Sequence, residues 1–244
     1  MTEPEAKASL RREARIGGIL YLLIILGGLF AEMGVRDRLV VSGDAAATAR
    51  NILAHEGLYR SGFAVTVLYL FCAVFLLFIL YDLLRVVSAR LAWVAVFVNL
   101  VSIAIESVSL LGHFAPLVLL DGSRGSSGLA PEQLQSLAYL SLRLQSAGFN
   151  VSLAFFGVFC VVAGILIYRS TFLPRAIGAL MALAGVCYFV NSFAWFLAPP
   201  LAARLFPWIL MPCLLGEASL CLWLLFAGVN VSRWEEQAAR AGTT

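Results

Sequence analysis

Six apolar runs divide the chain, at 16–35, 62–84, 91–120, 151–168, 174–198 and 207–229, the fourth preceded by an amphipathic stretch from Glu132. Each supplies about the 20 residues that a helix needs to cross a hydrocarbon core of ~30 Å. The third run, LAWVAVFVNLVSIAIESVSLLGHFAPLVLL, carries a carboxylate and an imidazole inside it. Asn99, Glu106 and His113 recur every seventh residue, with Ser102 and Ser109 between them, so helical spacing gathers five polar groups into one narrow stripe. A charged side chain within a span costs roughly 2.5 to 3.5 kcal/mol, so such a stripe faces protein or a wet cavity rather than lipid.

Punctuation between the runs fills in the architecture. Asp44 is suited to cap a short surface helix over 45–55 in the first outer loop, with Gly57 as its stop and His55 solvated. Gly27, Gly28, Ala31 and Gly34 give the first span a small-residue face, with Glu32 beside it. Asp82 and Arg85 form an interfacial pair at the end of the second span. The stretch DGSRGSSGLAPEQ reads as a flexible loop, after which Pro131 opens a fourth helix of about 57 Å, too long for the core alone. Its first half is therefore expected to reach into the headgroups or fold over the bundle. Pro174 starts the fifth helix, Pro199 and Pro200 end it, and Pro212 is expected to bend the sixth a turn before Glu217. Trp195 and Trp208 near one end, and Trp93 and Trp234 near the other, fit interfacial belts.

The pattern predicts an all-α integral membrane protein, a bundle of about six transmembrane helices plus the short surface helix. It divides into a polar N-terminus at 1–15, a membrane domain at 16–229 and a polar C-terminus at 230–244. Composition agrees: the chain is 61% hydrophobic and only 13% charged. A net charge of +3 is too diffuse for a nucleic-acid footprint. The five cysteines all lie in apolar runs without CxxC spacing, which favours small buried hydrophobes over a disulfide framework or a zinc site. No cofactor motif or Gly-rich phosphate loop is present.

Basic residues set the expected orientation. Of 17 Lys and Arg, 10 fall on the side of the N-terminus, and the two tightest turns, RVVSAR and RSTFLPR, are basic without an acid. Both termini are accordingly expected in the cytoplasm. Counted from that side at ~1.5 Å per residue, Glu32, Glu106, Asn191 and Asn150 lie about 22 to 27 Å up, and Glu217 lies about 16 Å in from the outer end. Arg143 and His113 come higher, near the outer interface. Arg143, Ser146 and Asn150 share one face of the fourth helix, so Arg143 is the cation expected to neutralise the acids. Three carboxylates close together at low dielectric require a proton or a cation, and Glu106 is the candidate to hold the proton. The candidate ligand- or proton-binding residues are therefore Glu32, Glu106, His113, Arg143, Asn150, Asn191 and Glu217, with no catalytic or metal-ligating set.

Three function classes follow. The leading one is a small-molecule or lipid binder or carrier, with the bilayer as partner and a polar intramembrane cavity open to the outer face. A structural bundle without ligand is the second. An intramembrane hydrolase is the third and fits less well: metal versions need about three converging ligands, and a serine mechanism would need Ser102 or Ser109 activated by His113.

Several stretches also resemble a known family. ARIGGILYLLIILGGLFAEMGVRDRLVVSGDAAATARNILAHEGLYRSGF, YRSTFLPRAIGALMALAGVCYFV and LLGEASLCLWLL look like a bacterial multi-spanning membrane family catalogued as a domain of unknown function, numbered forty-three eighty-six. The FAE-x-x-VR stretch with Glu32 and Arg36, the GDAAATA-x-NI stretch with Asp44 and Asn51, and the pair Gly216 and Glu217 carry the likeness. The resemblance implies a bacterial inner-membrane protein of about six helices and brings no catalytic assignment.

Overall fold

The computed structural model describes residues 3–121 and 128–241. Residues 122–127 of the expected glycine- and serine-rich loop, including Arg124, lie outside the described residues, as do the two ends of the chain. Among the described residues there is no strand. Helix α1 (Glu3–Leu29) runs into a wide π-helical turn (Phe30–Arg36) and a last short turn, α2 (Asp37–Leu39). The surface helix α3 (Ala45–Ala54) follows, then α4 (Glu56–Leu84), α5 (Ala89–Leu119), α6 (Pro131–Arg169) and α7 (Arg175–Leu197). Next come α8 (Pro199–Leu205), a 3-10 turn (Trp208–Leu210), α9 (Met211–Leu222), a second π-helical turn (Trp223–Ala227) and α10 (Val231–Ala241). Six of these segments are long and apolar enough to cross a membrane.

The six spans form a closed ring. Each packs on the next in the order α1, α4, α5, α6, α7 and α9, and α9 with its π turn returns to α1. Glycine permits the closest approaches. A Cβ on Gly164 of α6 would lie 2.5 Å from Ala182 N and 2.6 Å from Gly178 O of α7, so the two backbones are in contact.

The ring interior is divided along its length. At the basic end, which carries the α4–α5 and α6–α7 turns, a large apolar cluster includes Tyr21, Leu77, Leu80, Leu83, Ala95, Cys160, Leu166, Met181 and Leu220. At the far end a smaller cluster joins Val35, Leu39, Ile52, Tyr59, Leu117 and Leu142. Between the two lie the polar positions of α1, α4, α5 and α6, among them Glu32, Tyr69, Glu106 and Asn150.

Local expectations fare unevenly. Asp44 caps α3 through Oδ1 and the Ala47 amide at 2.8 Å, and Asp82 pairs with Arg85 at 3.2 Å. Cys72, Cys160, Cys213 and Cys221 are buried free thiols, and Cys187 is half-buried. Gly57 is no helix stop. His55 alone breaks the helix and Tyr59 N already reaches His55 O, so α4 begins a turn earlier than the hydropathy suggests. Pro212 sits in the first turn of α9, just after the 3-10 turn, where its missing N–H costs nothing, rather than in the interior of a continuous helix. The irregularity comes after Glu217 instead, at the π turn closed by Gly228 N to Trp223 O and reversed by Gly228 at φ +67°. Pro199 and Pro200 both end the fifth span and start α8.

The C-terminal segment is more than a polar tail. Asn230 caps α10 through Arg233 N at 3.2 Å, and Val231 and Trp234 turn inward, with Trp234 Nε1 donating to Leu83 O at 2.9 Å. The fourth helix is a single unbroken element, and its first half folds against α3, where Gly43 N donates to the Tyr139 hydroxyl at 2.7 Å.

Candidate functional site

The polar stripe of α5 faces two neighbours and serves each differently. Toward α6 it is a packing seam. Ser102 and Ser152 lie 2.9 Å apart, oxygen to oxygen, and each is also within reach of the other's carbonyl. A Cβ on Gly148 would lie 2.0 Å from Ser109 Oγ, so α6 has a glycine where α5 has a serine. Ser109 Oγ donates to Ile105 O of its own helix, and the His113 ring instead stacks on Tyr59 with centroids 4.4 Å apart. Serine and imidazole thus have separate engagements.

Toward the ring interior the stripe presents Asn99 and Glu106. Tyr69 of α4, packed on Gly27 of α1, donates its hydroxyl to Glu106 Oε1. Asn99 and His113, seven residues to either side of Glu106, each bury an atom without a hydrogen-bond partner, Asn99 Oδ1 and His113 Nε2. Buried polar atoms are ordinarily satisfied, and each orphan costs about 1 to 3 kcal/mol.

Arginine enters the cluster from α1. Arg36, at the end of the π turn, donates Nη1 to Gln145 Oε1 at 2.6 Å and Nη2 to Ser146 Oγ, while its Nε lies 3.6 Å from Glu32 Oε1. Arg143 does not fill this role. It is exposed at the bundle surface, and Ser146, one turn along, is occupied by Arg36. Arg36→Lys should therefore lower stability in detergent by about 1 to 2 kcal/mol, since an ammonium cannot reproduce the guanidinium fork. Arg143→Ala should stay within about 0.5 kcal/mol of the parent in the same denaturation measurement.

The three glutamates do not meet as expected. Glu32 is paired with Arg36 and its side chain is 61% exposed. Glu106 is half-buried on Tyr69. Glu217 is buried at the edge of the apolar cluster, where Tyr188 donates to Oε1 and Tyr21 to Oε2, the latter at 3.4 Å. Each acid thus has its own partner, so mutual repulsion is not what governs them. Asn150 is buried and donates Nδ2 to Ser146 O at 3.0 Å, and Asn191 lies half-buried on α7.

The packing on α1 loosens beyond Tyr21. Gly28 lies two turns from Tyr21 on the same face of α1, only about 20° off by helical rotation. Tyr21 is packed into the core, whereas a Cβ on Gly28 would meet nothing within 4 Å. Glu32 follows Gly28 by one turn, and its exposure belongs to the same open flank. The small-residue face of α1 is thus divided: Gly27 receives Tyr69, Gly28 borders space, and Gly34 lies nearest its own Phe30.

Tyr21, Tyr69 and Tyr188, none of them among the candidates above, are the donors to these carboxylates. Their signal was a hydroxyl inside an apolar run, where a buried phenol requires a partner. Among the described residues, no group of three or more His, Cys, Asp or Glu side chains is placed to hold a metal ion.

These features define a six-span α-helical membrane protein with an intramembrane polar cluster. The chain belongs to the family described as Domain of unknown function (DUF4386), whose model matches residues 16–228. No curated protein matches the chain. No solved structure matches it either.

Proposed function

We propose that this protein is a binder or carrier of a small polar molecule or lipid in the bacterial inner membrane, with both termini cytoplasmic and its polar cluster reached from the outer face. The observation that carries the reading is the pair of orphaned buried atoms, Asn99 Oδ1 and His113 Nε2, flanking Glu106 on one face of α5. The two residues are about 21 Å apart along the helix, so they mark a polar track rather than one small pocket. An amide oxygen and a carboxylate both accept hydrogen bonds, which suits a guest rich in donors, such as an amine or a polyol. The open flank at Gly28 and Glu32 supplies an approach from the far end. The orientation rests on the basic α4–α5 and α6–α7 turns.

A second reading, a structural bundle, is favoured by the reciprocal Ser102 and Ser152 contact and by the fit of Ser109 into Gly148. Thiol labelling separates the two. In a background with Cys187→Ala, a membrane-impermeant thiol reagent should label Glu32→Cys and Glu106→Cys in right-side-out vesicles and leave Leu80→Cys unlabelled. Protection of Glu106→Cys from both sides would sink the binding reading and leave the structural one. Labelling confined to inside-out vesicles would reverse the orientation.

A further inference from the structure

At the basic end, the α6–α7 turn and α10 enclose a cleft of about 490 Å³. Ser170, Thr171, Arg175, Arg233, Gln237 and Arg240 line it, with Glu236 as the acid on its wall. We infer that this cleft binds a phosphate-bearing anion, and that its occupant is the headgroup of an anionic phospholipid. The inference is independent of the polar track, which lies within the ring.

Arg175 and Arg233 face one carboxylate, Glu236, in this cleft, and Arg240 also lines it, so its lining is basic on balance. Arginine offers planar forks that match phosphate oxygens, and a guanidinium sheds water more readily than an ammonium. The walls are cross-linked rather than loose. Thr171 N and Oγ1 both donate to Gln237 Oε1, at 2.9 and 3.0 Å, and Arg233 Nη1 lies 3.4 Å from Thr171 O. Trp234 anchors the same helix to α4, and Arg175 lies 5.9 Å from the centroid of the Tyr168 ring. Like charges lining one cleft repel one another, and an anion between them relieves that repulsion.

Position selects the source. The cleft opens between the end of one span, Arg169, and the start of the next, Arg175, at the level where lipid headgroups lie. Its volume also exceeds what inorganic phosphate alone requires and has room for a glycerol attached to the phosphate. Basic residues near a membrane surface are attracted to anionic headgroups.

Native mass spectrometry of the full chain in neutral detergent tests this, with phosphatidylglycerol, phosphatidylcholine and inorganic phosphate as probes. Phosphatidylglycerol should be retained in preference to phosphatidylcholine. Arg175→Gln with Arg240→Gln should weaken that retention by about tenfold or more, whereas Arg85→Gln with Arg90→Gln, at the same end but outside the cleft, should not. Glu236→Gln should strengthen retention, a gain that a damaged fold cannot produce. If inorganic phosphate displaces the lipid at equal concentration, the cleft is a phosphate site with a soluble occupant. If the cleft double variant and the control bind alike, or Glu236→Gln weakens retention, the inference is wrong.

Discussion

Tyr21→Phe combined with Tyr188→Phe should destabilise the protein in detergent by about 3 to 5 kcal/mol, because Glu217 would then be a buried carboxylate with neither of its donors. The single changes should be unequal. Tyr188 makes the closer contact and Tyr21 the longer one at 3.4 Å, so Tyr188→Phe should cost more. Adding Glu217→Leu to the double variant should recover most of the loss, since an apolar group of similar size in an apolar cluster needs no partner. Failure to recover would show that the phenols act through packing rather than through the carboxylate. Unfolding followed by tryptophan fluorescence, with Glu217→Leu alone as the fourth corner of the cycle, reads the coupling directly.

The second large effect is expected at the α6–α7 contact. Gly164→Ala should cost about 3 kcal/mol, near the upper end of overpacking penalties, because the new methyl would meet backbone at 2.5 and 2.6 Å and backbone cannot step aside. The contrast is Gly28→Ala, where the methyl meets nothing within 4 Å and alanine is the better helix former by up to about 1 kcal/mol. It should leave stability unchanged or raise it. Equal losses at the two positions would mean that the interior beside Gly28 is filled.

Hydrophobic run length and helical period were enough to read the spans, because both depend on the chain alone. The same holds for the stripe on α5: Ser102 and Ser109 were placed on one face, and they do lie on one face. What stood opposite them was not legible, since Ser152 and Gly148 look like ordinary members of an apolar helix until α6 is laid against α5. Arg36 is legible as the partner of Glu32, one turn away, but its reach to α6 is not, for a related reason. Counting residues put it outside the core in the first outer loop, whereas the π turn carries the helix on through it and brings its guanidinium to α6. The expectation of three converging acids failed because height along a helix says nothing about which neighbour a side chain meets. Glu217 lies beside Tyr21 and Tyr188, in the territory of the apolar cluster. The docking of α10 was legible in part, since Asn230, Val231 and Trp234 spell a cap and an apolar face. Its many polar residues are equally the mark of a solvated tail.

The π turn of α1 also acts as a winding number. Asp37 N reaches back to Glu32 O, five residues rather than four, so the segment holds one residue more than ordinary pitch would use. Tightening it to that pitch would twist everything beyond it by about 100° relative to the spans below. Arg36 would swing off Ser146, and the linkage from Leu39 to Asn51 that seats α3 would turn with it. A single residue of slack in the first span thus fixes the azimuth of the entire loop that follows.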